Sequence, residues 1–305
     1  MSLRPGRARR RYANLERIRT LDPAVDYDEI TWITSRLEFP WDYVQGTGIA
    51  FLRDYGVPSI SRLLERTGEF EDHGVKRYDD TLLIGQEVVS DGVDSERGHA
   101  AVRRLNRIHG HYDIPNDEFQ YVLATTIVGP VRWISRFGWR RLDPVELQGL
   151  ANFTTRFGEL MGITGLPTTY DGYLQLLVDY ERERFAFDPA NRRLTEATLR
   201  IGRATARPAL LRPFVRQVTI ALMDDALRDA LGLRPRPRWL THAVESGLRL
   251  RGRLLRLAAP RTAPYAHRPA TYPLGYALGD LGPASMLAEL NRPTTNRPTT
   301  WETAR

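Results

Sequence analysis

The residue with the clearest chemical potential in this sequence is a histidine at the end of an amphipathic helix. Residues 95–109 predict a helix, because Val102, Leu105 and His109 share one face when each residue turns the chain by about 100°. Neutral imidazole is a common ligand of metal and of haem. A histidine on an apolar face is more often a hydrogen-bonded core residue, so the pattern alone leaves both interpretations open.

A second pair of polar residues has the spacing of one helical turn. Arg77 and Thr81 are four residues apart, within a polar segment that runs into an apolar one. This predicts a helix that begins near Tyr78 and presents both side chains to one pocket. The structural alternative is that Arg77 pairs with a carboxylate and Thr81 bonds its own backbone.

Other catalytic motifs find little support. Glu96 and His99 match the Glu-x-x-His spacing of di-iron bundles, which need a second copy and two more glutamates. The absence of cysteine excludes disulfides, iron–sulfur clusters and thiolate ligation. A phosphate-binding Gly-x-x-x-x-Gly-Lys loop, His-Glu-x-x-His and the Gly-x-Ser-x-Gly elbow are also absent. These observations disfavour P-loop NTPases, zinc proteases and serine hydrolases.

The elements that would position these residues are all helical, and we predict an all-α fold with one multi-helix domain. A helix begins at Asn116 and should end where Gly129-Pro130 interrupts its apolar stripe. Asp143 and Glu146 form a capping-box pattern around Pro144. Further helical patterns cover about residues 26–37, 41–55, 59–66, 78–92, 143–161, 169–187, 195–205, 213–231 and 237–257.

Composition and charge predict one folded domain between two tails. The 305 residues are enough for a large core, and the formal net charge is +7. We predict a basic, disordered tail at 1–25, the helical domain at 26–285 and a flexible tail at 286–305. A signal peptide and a transmembrane helix are not expected. Folding without disulfides fits a cytoplasmic location, which we predict.

One predicted helix is rich in arginine. Arg249, Arg251, Arg253 and Arg256 alternate with leucines, a pattern that suits a membrane surface or an acidic partner. A buried helix with one solvated face is the more frequent explanation. No recognisable nucleic-acid-reading motif accompanies these arginines, so we expect no nucleic-acid partner.

Several short motifs in order resemble one family. They are Arg77-Tyr-Asp-Asp-Thr81, Arg104-Leu-Asn-Arg-Ile-His109, Tyr112-Asp-Ile114, Phe137-Gly-Trp-Arg140, Asp179-Tyr-Glu181, Thr271-Tyr-Pro-Leu-Gly-Tyr276 and Leu281-Gly-Pro283. Together they resemble the MpaB-type oxygenases, which share a domain with the latex-clearing rubber oxygenases. The resemblance covers roughly residues 25–285.

The resemblance implies an all-helical fold that encloses a b-type haem and uses O2. It makes His109 the proximal iron ligand, with Arg77 and Thr81 as catalytic residues on the distal or propionate side, and Arg104 as a further cofactor-binding residue. His99 and His111 are the competing ligands. His111 follows the predicted helix end and His99 lies nearer its start, so geometry also favours His109. The implied substrate is apolar, such as an isoprenoid or another lipid.

One position departs from the pattern of the rubber oxygenases. In that family a lysine stands immediately before the threonine, and this lysine can cap the iron. Here that position is Asp80. We therefore expect no lysine-capped form, and an acidic group that hydrogen-bonds either a distal water or Arg77.

Three hypotheses follow from these patterns. The first is a haem-dependent oxygenase that cleaves or oxidises a double bond in an apolar substrate. The second is a haem-binding or haem-sensing protein without turnover, which the aspartate at position 80 keeps open. The third is a helical interaction protein without a cofactor, acting through its basic surface.

Overall fold

The computed structural model describes residues 11–206 and 208–292, in which helices are the regular secondary structure and no β-strand occurs. The predicted all-α single domain is therefore confirmed. The α-helices are α1 (Ala13–Ile18), α2 (Tyr27–Trp32), α3 (Pro40–Asp54), α4 (Pro58–Arg66), α5 (Glu69–Asp72), α6 (Gly74–Asp91), α7 (Glu96–His109), α8 (Asn116–Phe137), α9 (Pro144–Leu160), α10 (Tyr170–Arg184), α11 (Pro189–Thr205), α12 (Val215–Leu222), α13 (Asp225–Ala230), α14 (Arg238–Leu255) and α15 (Leu287–Leu290). Ile33–Glu38 is a π-helix, and Ala209–Phe214, Leu278–Asp280 and Ala284–Met286 are 3-10 turns.

The helix α8 is the centre of the domain, and it does not end where the sequence predicts. It continues through Pro130 to Phe137, with buried side chains on both sides of the proline. A proline inside a helix removes one hydrogen bond and costs about 3 kcal/mol. Here Pro130 and Gly129 lie against Gly46 of α3, where the two backbones approach too closely for a side chain. The packing of the whole helix outweighs the local cost.

Helix starts follow the capping residues that the sequence contains. Ser95 accepts a hydrogen bond from the Gly98 amide at 2.9 Å and caps α7, whose start agrees with the helix predicted over residues 95–109. Asp143 and Glu146 form the expected capping box of α9. Thr169 caps α10 through the Gly172 amide, at the start of the helix predicted over residues 169–187.

The predicted helix at 213–231 is two helices in the structure. Asp224 breaks it, because its carboxylate accepts the Leu227 amide at 2.9 Å and so caps α13. Arg53 of α3 donates to the same carboxylate at 2.6 Å. The local capping and the ion pair both favour a new helix start at this position.

The tails predicted at 1–25 and 286–305 need correction where the structure describes them. Residues 11–25 include α1, whose Leu15 and Ile18 are buried. Residues 286–292 include α15, whose Leu290 is also buried. Apolar burial anchors both segments, although their sequences are too short and polar to show periodicity. Residues 1–10 and 293–305 lie outside the described residues.

The arginine-rich helix α14 is not buried, contrary to the more frequent explanation. Glu245 and Gly252 are its only buried residues, while Leu250 and Leu254 are 54% and 58% exposed. Within residues 11–206 and 208–292, no helix is both long and apolar enough to cross a membrane.

Candidate active site

His109 lies at the last position of α7, where its side chain is half-buried against α8. Its ring centroid is 5.4 Å from that of Phe119. The Nδ1 atom is buried and has no hydrogen-bond partner among the described residues. Burial, and secondarily the charge of Arg77, lowers the pKa of His109 to about 4. The imidazole is therefore neutral at physiological pH, with a buried nitrogen that nothing described here satisfies.

Arg77 and Thr81 contact one another on α6, as the one-turn spacing predicts. The Arg77 Nη1 atom donates to Thr81 Oγ1 at 2.8 Å, and the threonine hydroxyl donates to the Arg77 carbonyl oxygen at 2.8 Å. The backbone bond of Thr81 matches the structural alternative, but Arg77 joins no ion pair of the residues described. Its guanidinium carbon lies 5.7 Å from the centroid of the Phe70 ring.

The positive charge of Arg77 influences three titratable groups, one of which is His109. Its charge acts on His109 and also on the hydroxyl groups of Tyr112 and Tyr55. Burial is the largest influence on both tyrosines and raises the pKa of each. Tyr55 packs edge-on against Phe70 with ring centroids 5.9 Å apart. His109 is thus a neutral imidazole next to Phe119, and Arg77, which joins no ion pair among the described residues, lies near the Phe70 ring.

The two competing histidines have different neighbours. His99 Nε2 is buried without a hydrogen bond but lies 3.6 Å from a carboxylate oxygen of Asp94. His111 is exposed, with Nδ1 2.7 Å from the Arg107 carbonyl oxygen and Nε2 3.3 Å from Glu289. Each therefore has an acidic side chain near its ring, whereas the charge that acts on His109 is that of the cation Arg77.

The loop that follows His109 borders a surface cavity of about 280 Å3. His111, Tyr112 and Asp113 line one side of it, and the end of α4 with the following Thr67 forms the rest of its wall. This volume is just below the range for ligand pockets, about 300–1,000 Å3.

Asp80 does not take part in the site, and the expectation that it reaches Arg77 is wrong. Its buried carboxylate accepts hydrogen bonds from Lys76 at 2.6 Å, Tyr272 at 2.7 Å and the Gly282 amide at 3.1 Å. The cause is helical geometry, since one residue along α6 turns Asp80 by about 100° away from Thr81. That turn directs it toward the segment at residues 265–292.

Arg104, which the resemblance makes a cofactor-binding residue, also contacts the segment at residues 265–292. It donates to the carbonyl oxygens of Leu281, Gly279 and Leu290, at 2.7, 2.8 and 3.1 Å. A fourth bond, of 2.9 Å, reaches the Asn291 side chain. Its contacts in the structure are thus with the C-terminal segment.

Sequence reasoning missed this C-terminal interface. Three buried carboxylates of α6 bind the segment: Asp79, Asp80 and Glu87. Asp79 accepts from His267 and from the Thr271 amide, both at 2.8 Å, and Glu87 accepts from Tyr276. Buried acids need hydrogen-bond partners, but Lys76, Arg77 and Gln86 make α6 polar as well, so its sequence does not single these three acids out.

A second missed group lies at the end of α3. Arg53 donates twice to Glu181 at 2.5 Å, and Tyr121 donates to the same carboxylate at 3.3 Å. The neighbouring Asp54 is buried, and its Oδ1 atom has no partner in the described part of the chain. Burial raises the pKa of Asp54 well above its ordinary value. This arrangement joins α3, α8 and α10.

The residues present fit a b-type haem in the chemistry of their donors. Such a group needs one neutral imidazole for iron, apolar walls for the porphyrin and cations for its propionates. His109 supplies an unsatisfied buried nitrogen, Phe119 an aromatic wall, and Arg77 a guanidinium without a carboxylate partner among the described residues. Over residues 11–206 and 208–292, no group of three or more histidine or acidic side chains is placed to chelate a metal ion.

Comparison with known proteins identifies relatives for most of the chain. A family model described as "ER-bound oxygenase mpaB/B'/Rubber oxygenase, catalytic domain" matches residues 43–257, which include Arg77, Thr81 and His109. The "ER-bound oxygenase mpaB'" of Penicillium brevicompactum is 33% identical over 252 residues, covering 76% of this chain and 59% of its own length. The "ER-bound oxygenase mpaB" of Penicillium roqueforti is 31% identical over 216 residues, covering 65% of this chain and 72% of its own length.

A third relative, the mpaB protein of P. brevicompactum, is 34% identical over 176 residues, which is 45% of its length. This chain therefore spans about half of the two P. brevicompactum proteins. The match over residues 43–257 covers more than half of the chain and contains the predicted site. The chain belongs to the mpaB/B'/rubber oxygenase catalytic-domain family.

Proposed function

We propose that this chain is a haem b-dependent oxygenase that uses O2 to cleave or oxidise a double bond in an apolar, isoprenoid-like or lipid substrate. The observation that supports it most is the neutral His109 imidazole, whose buried Nδ1 atom has no partner among the described residues and which feels the charge of Arg77. Family membership and the relatives' names support the oxygenase class. The haem and the substrate are parts of the proposal.

His109 would hold the haem through its imidazole. Its low pKa matters because an imidazolium has no lone pair to donate, and here the neutral form prevails at physiological pH. Haem b would supply redox-active iron for chemistry with O2.

Arg77 would serve the reaction as a fixed positive charge. Thr81 orients it through the 2.8 Å hydrogen bond, and the Phe70 ring supports one side of the guanidinium. A guanidinium held without a carboxylate can bind a propionate or stabilise negative charge that develops on oxygen. The threonine hydroxyl already donates to the backbone, so its role is to position Arg77 rather than to transfer a proton.

The aromatic residues around Arg77 favour an apolar substrate, because they exclude water and offer hydrocarbon contact. Addition of one O2 across one carbon–carbon double bond, with loss of that bond, gives two carbonyl groups. The atoms and electrons balance without an external reductant.

The test is oxygen uptake by haem-reconstituted protein supplied with an unsaturated lipid. We expect O2 consumption in proportion to carbonyl product, and none with the saturated lipid of the same length. A haem-binding protein without turnover would show the spectrum of bound haem but no substrate-dependent uptake. Asp80, which kept that alternative open, binds the C-terminal segment instead of the site.

The location of the protein stays a prediction. The sequence favours the cytoplasm, whereas the matched relatives are named as bound to the endoplasmic reticulum. An enzyme that acts on an apolar substrate would gain from proximity to a membrane, where such substrates dissolve.

A further inference from the structure

The outward face of α14 carries large apolar side chains. Trp239, Leu250 and Leu254 are 70%, 54% and 58% exposed, and Leu257, in the turn after the helix, is 61% exposed. At about 100° per residue these four positions lie within roughly 60° of one another around the helix axis. An apolar stripe on the solvent side of a helix is the reverse of the usual arrangement.

The opposite face of α14 fixes this orientation. Gly252 packs so closely on α8 that a Cβ atom would lie 2.5 Å from the carbonyl oxygen of Phe137. The buried Glu245 forms ion pairs with Arg136 of α8 and, at 2.7 Å, with Arg249. The helix cannot turn its apolar stripe inward without losing both contacts.

Small exposed residues separate the two halves of the stripe. Ala243, Ser246 and Gly247 lie between Trp239 and Leu250 on the same side. No atom lies within 4 Å of the position that a Cβ of Gly247 would occupy. The stripe therefore has low relief and suits a broad, deformable partner better than a partner that must fill a groove.

Positive charge accompanies the stripe. Arg238 and Arg253 are exposed and join no ion pair among the described residues, whereas Arg251 is paired with Asp42 at 2.9 Å. Just before α14, Arg234 and Arg236 help to line a cavity of about 380 Å3.

The same cavity receives two more arginines, Arg192 and Arg216. The only carboxylate paired with them in the described residues is Glu196, 2.7 Å from Arg216. Arg236 has a buried Nε atom without a partner in the described chain, and burial together with the charge of Arg216 lowers its pKa. This end of the helix carries excess positive charge that an anionic surface would neutralise.

We propose that α14 binds this protein to the surface of an anionic lipid bilayer. Trp239, Leu250, Leu254 and Leu257 enter the boundary between headgroups and acyl chains, and the unpaired arginines beside them contact lipid phosphates. Apolar burial combined with arginine at the headgroup level is the known basis of interfacial helix binding. The proposal stands independently of the haem and of the reaction.

The test is sedimentation of the full-length protein with vesicles. We compare phosphatidylcholine vesicles that contain about 30 mol% phosphatidylserine with vesicles of phosphatidylcholine alone. Wild type should pellet with the anionic vesicles, less with the neutral ones, and less as the salt concentration rises. The double variant Leu250→Glu/Leu254→Glu should bind at least about tenfold more weakly. Both positions are exposed, so circular dichroism and melting temperature should not change.

Two further variants complete the test. Leu274→Glu changes a fully exposed leucine of the C-terminal segment and should bind as wild type does. Arg238→Gln/Arg253→Gln keeps the stripe and should weaken binding to anionic vesicles about tenfold.

The proposal is overturned if wild type stays in solution with anionic vesicles, or if either double variant binds them like wild type. Loss of binding in Leu274→Glu would also contradict it. A dimer in solution that Leu250→Glu/Leu254→Glu converts to a monomer, with no vesicle binding by either, would assign the stripe to a second copy of the chain instead.

Discussion

Replacement of Gly46 by alanine tests the crossing of α3 and α8, on which the placement of the site depends. Helix α8 begins beside His109 and carries Phe119 in its first turn, and α3 ends at the buried Arg53 and Asp54. The two helices cross where Gly46 meets Gly129 and Pro130. A methyl group at position 46 would force the helices apart.

The size of the effect follows from three distances. The added Cβ would lie 2.5 Å from the Pro130 Cα atom, 2.8 Å from its nitrogen and 2.9 Å from the Gly129 carbonyl oxygen. All three are backbone atoms, so no side chain can rotate away. Overpacking of this kind costs about 3 kcal/mol, at the upper end of the usual range, and alanine recovers about 1 kcal/mol through helix propensity. The expected net loss in the free energy of unfolding is about 2 kcal/mol.

Gly48 provides a matched control two residues along the same helix. It is exposed, and no atom lies within 4 Å of its potential Cβ position. Gly48→Ala should therefore stabilise the protein by about 0.5–1 kcal/mol. Urea unfolding followed by circular dichroism measures both changes, provided that the variants share one denaturant slope (m value). The crossing is refuted if Gly46→Ala proves as stable as Gly48→Ala.

Three further substitutions test the C-terminal interface and the site. Arg104→Ala removes four hydrogen bonds, so it should lower the free energy of unfolding by about 3 kcal/mol and expose residues 265–292 to limited proteolysis. Arg103 is exposed, and Arg103→Ala should have neither effect. Tyr272→Phe leaves the buried Asp80 one donor short and should lower the free energy of unfolding by about 1–2 kcal/mol; an unchanged urea midpoint would place Asp80 in solvent. In haem-loaded protein, Arg77→Gln should reduce substrate-dependent oxygen uptake about 100-fold, and an unaltered rate would remove the guanidinium from the reaction.

Local rules explain why much of the helical framework can be predicted from sequence. Ser95 and the Asp143–Glu146 box mark helix starts through hydrogen bonds that close within four residues. The contact between Arg77 and Thr81 is also local, because one helical turn brings them together.

Features that depend on distant partners could not be predicted. Pro130 ends a helix by its own chemistry, whereas α8 continues because of packing that includes the contact with Gly46, 84 positions earlier in the printed sequence. Asp80 looked available to Arg77, but its partners Tyr272 and Gly282 lie about 200 positions away. No periodicity links such residues, so their pairing is visible only after folding.

The measurement that tests the central claim most directly is the absorption spectrum of protein expressed with a haem precursor. Wild type, His109→Ala and His111→Ala should be compared at equal protein concentration. We expect a Soret band in wild type and in His111→Ala, and its loss or a clear shift in His109→Ala. A colourless wild type despite ample haem, or an unchanged spectrum in His109→Ala, would contradict the assignment of His109 as the haem ligand.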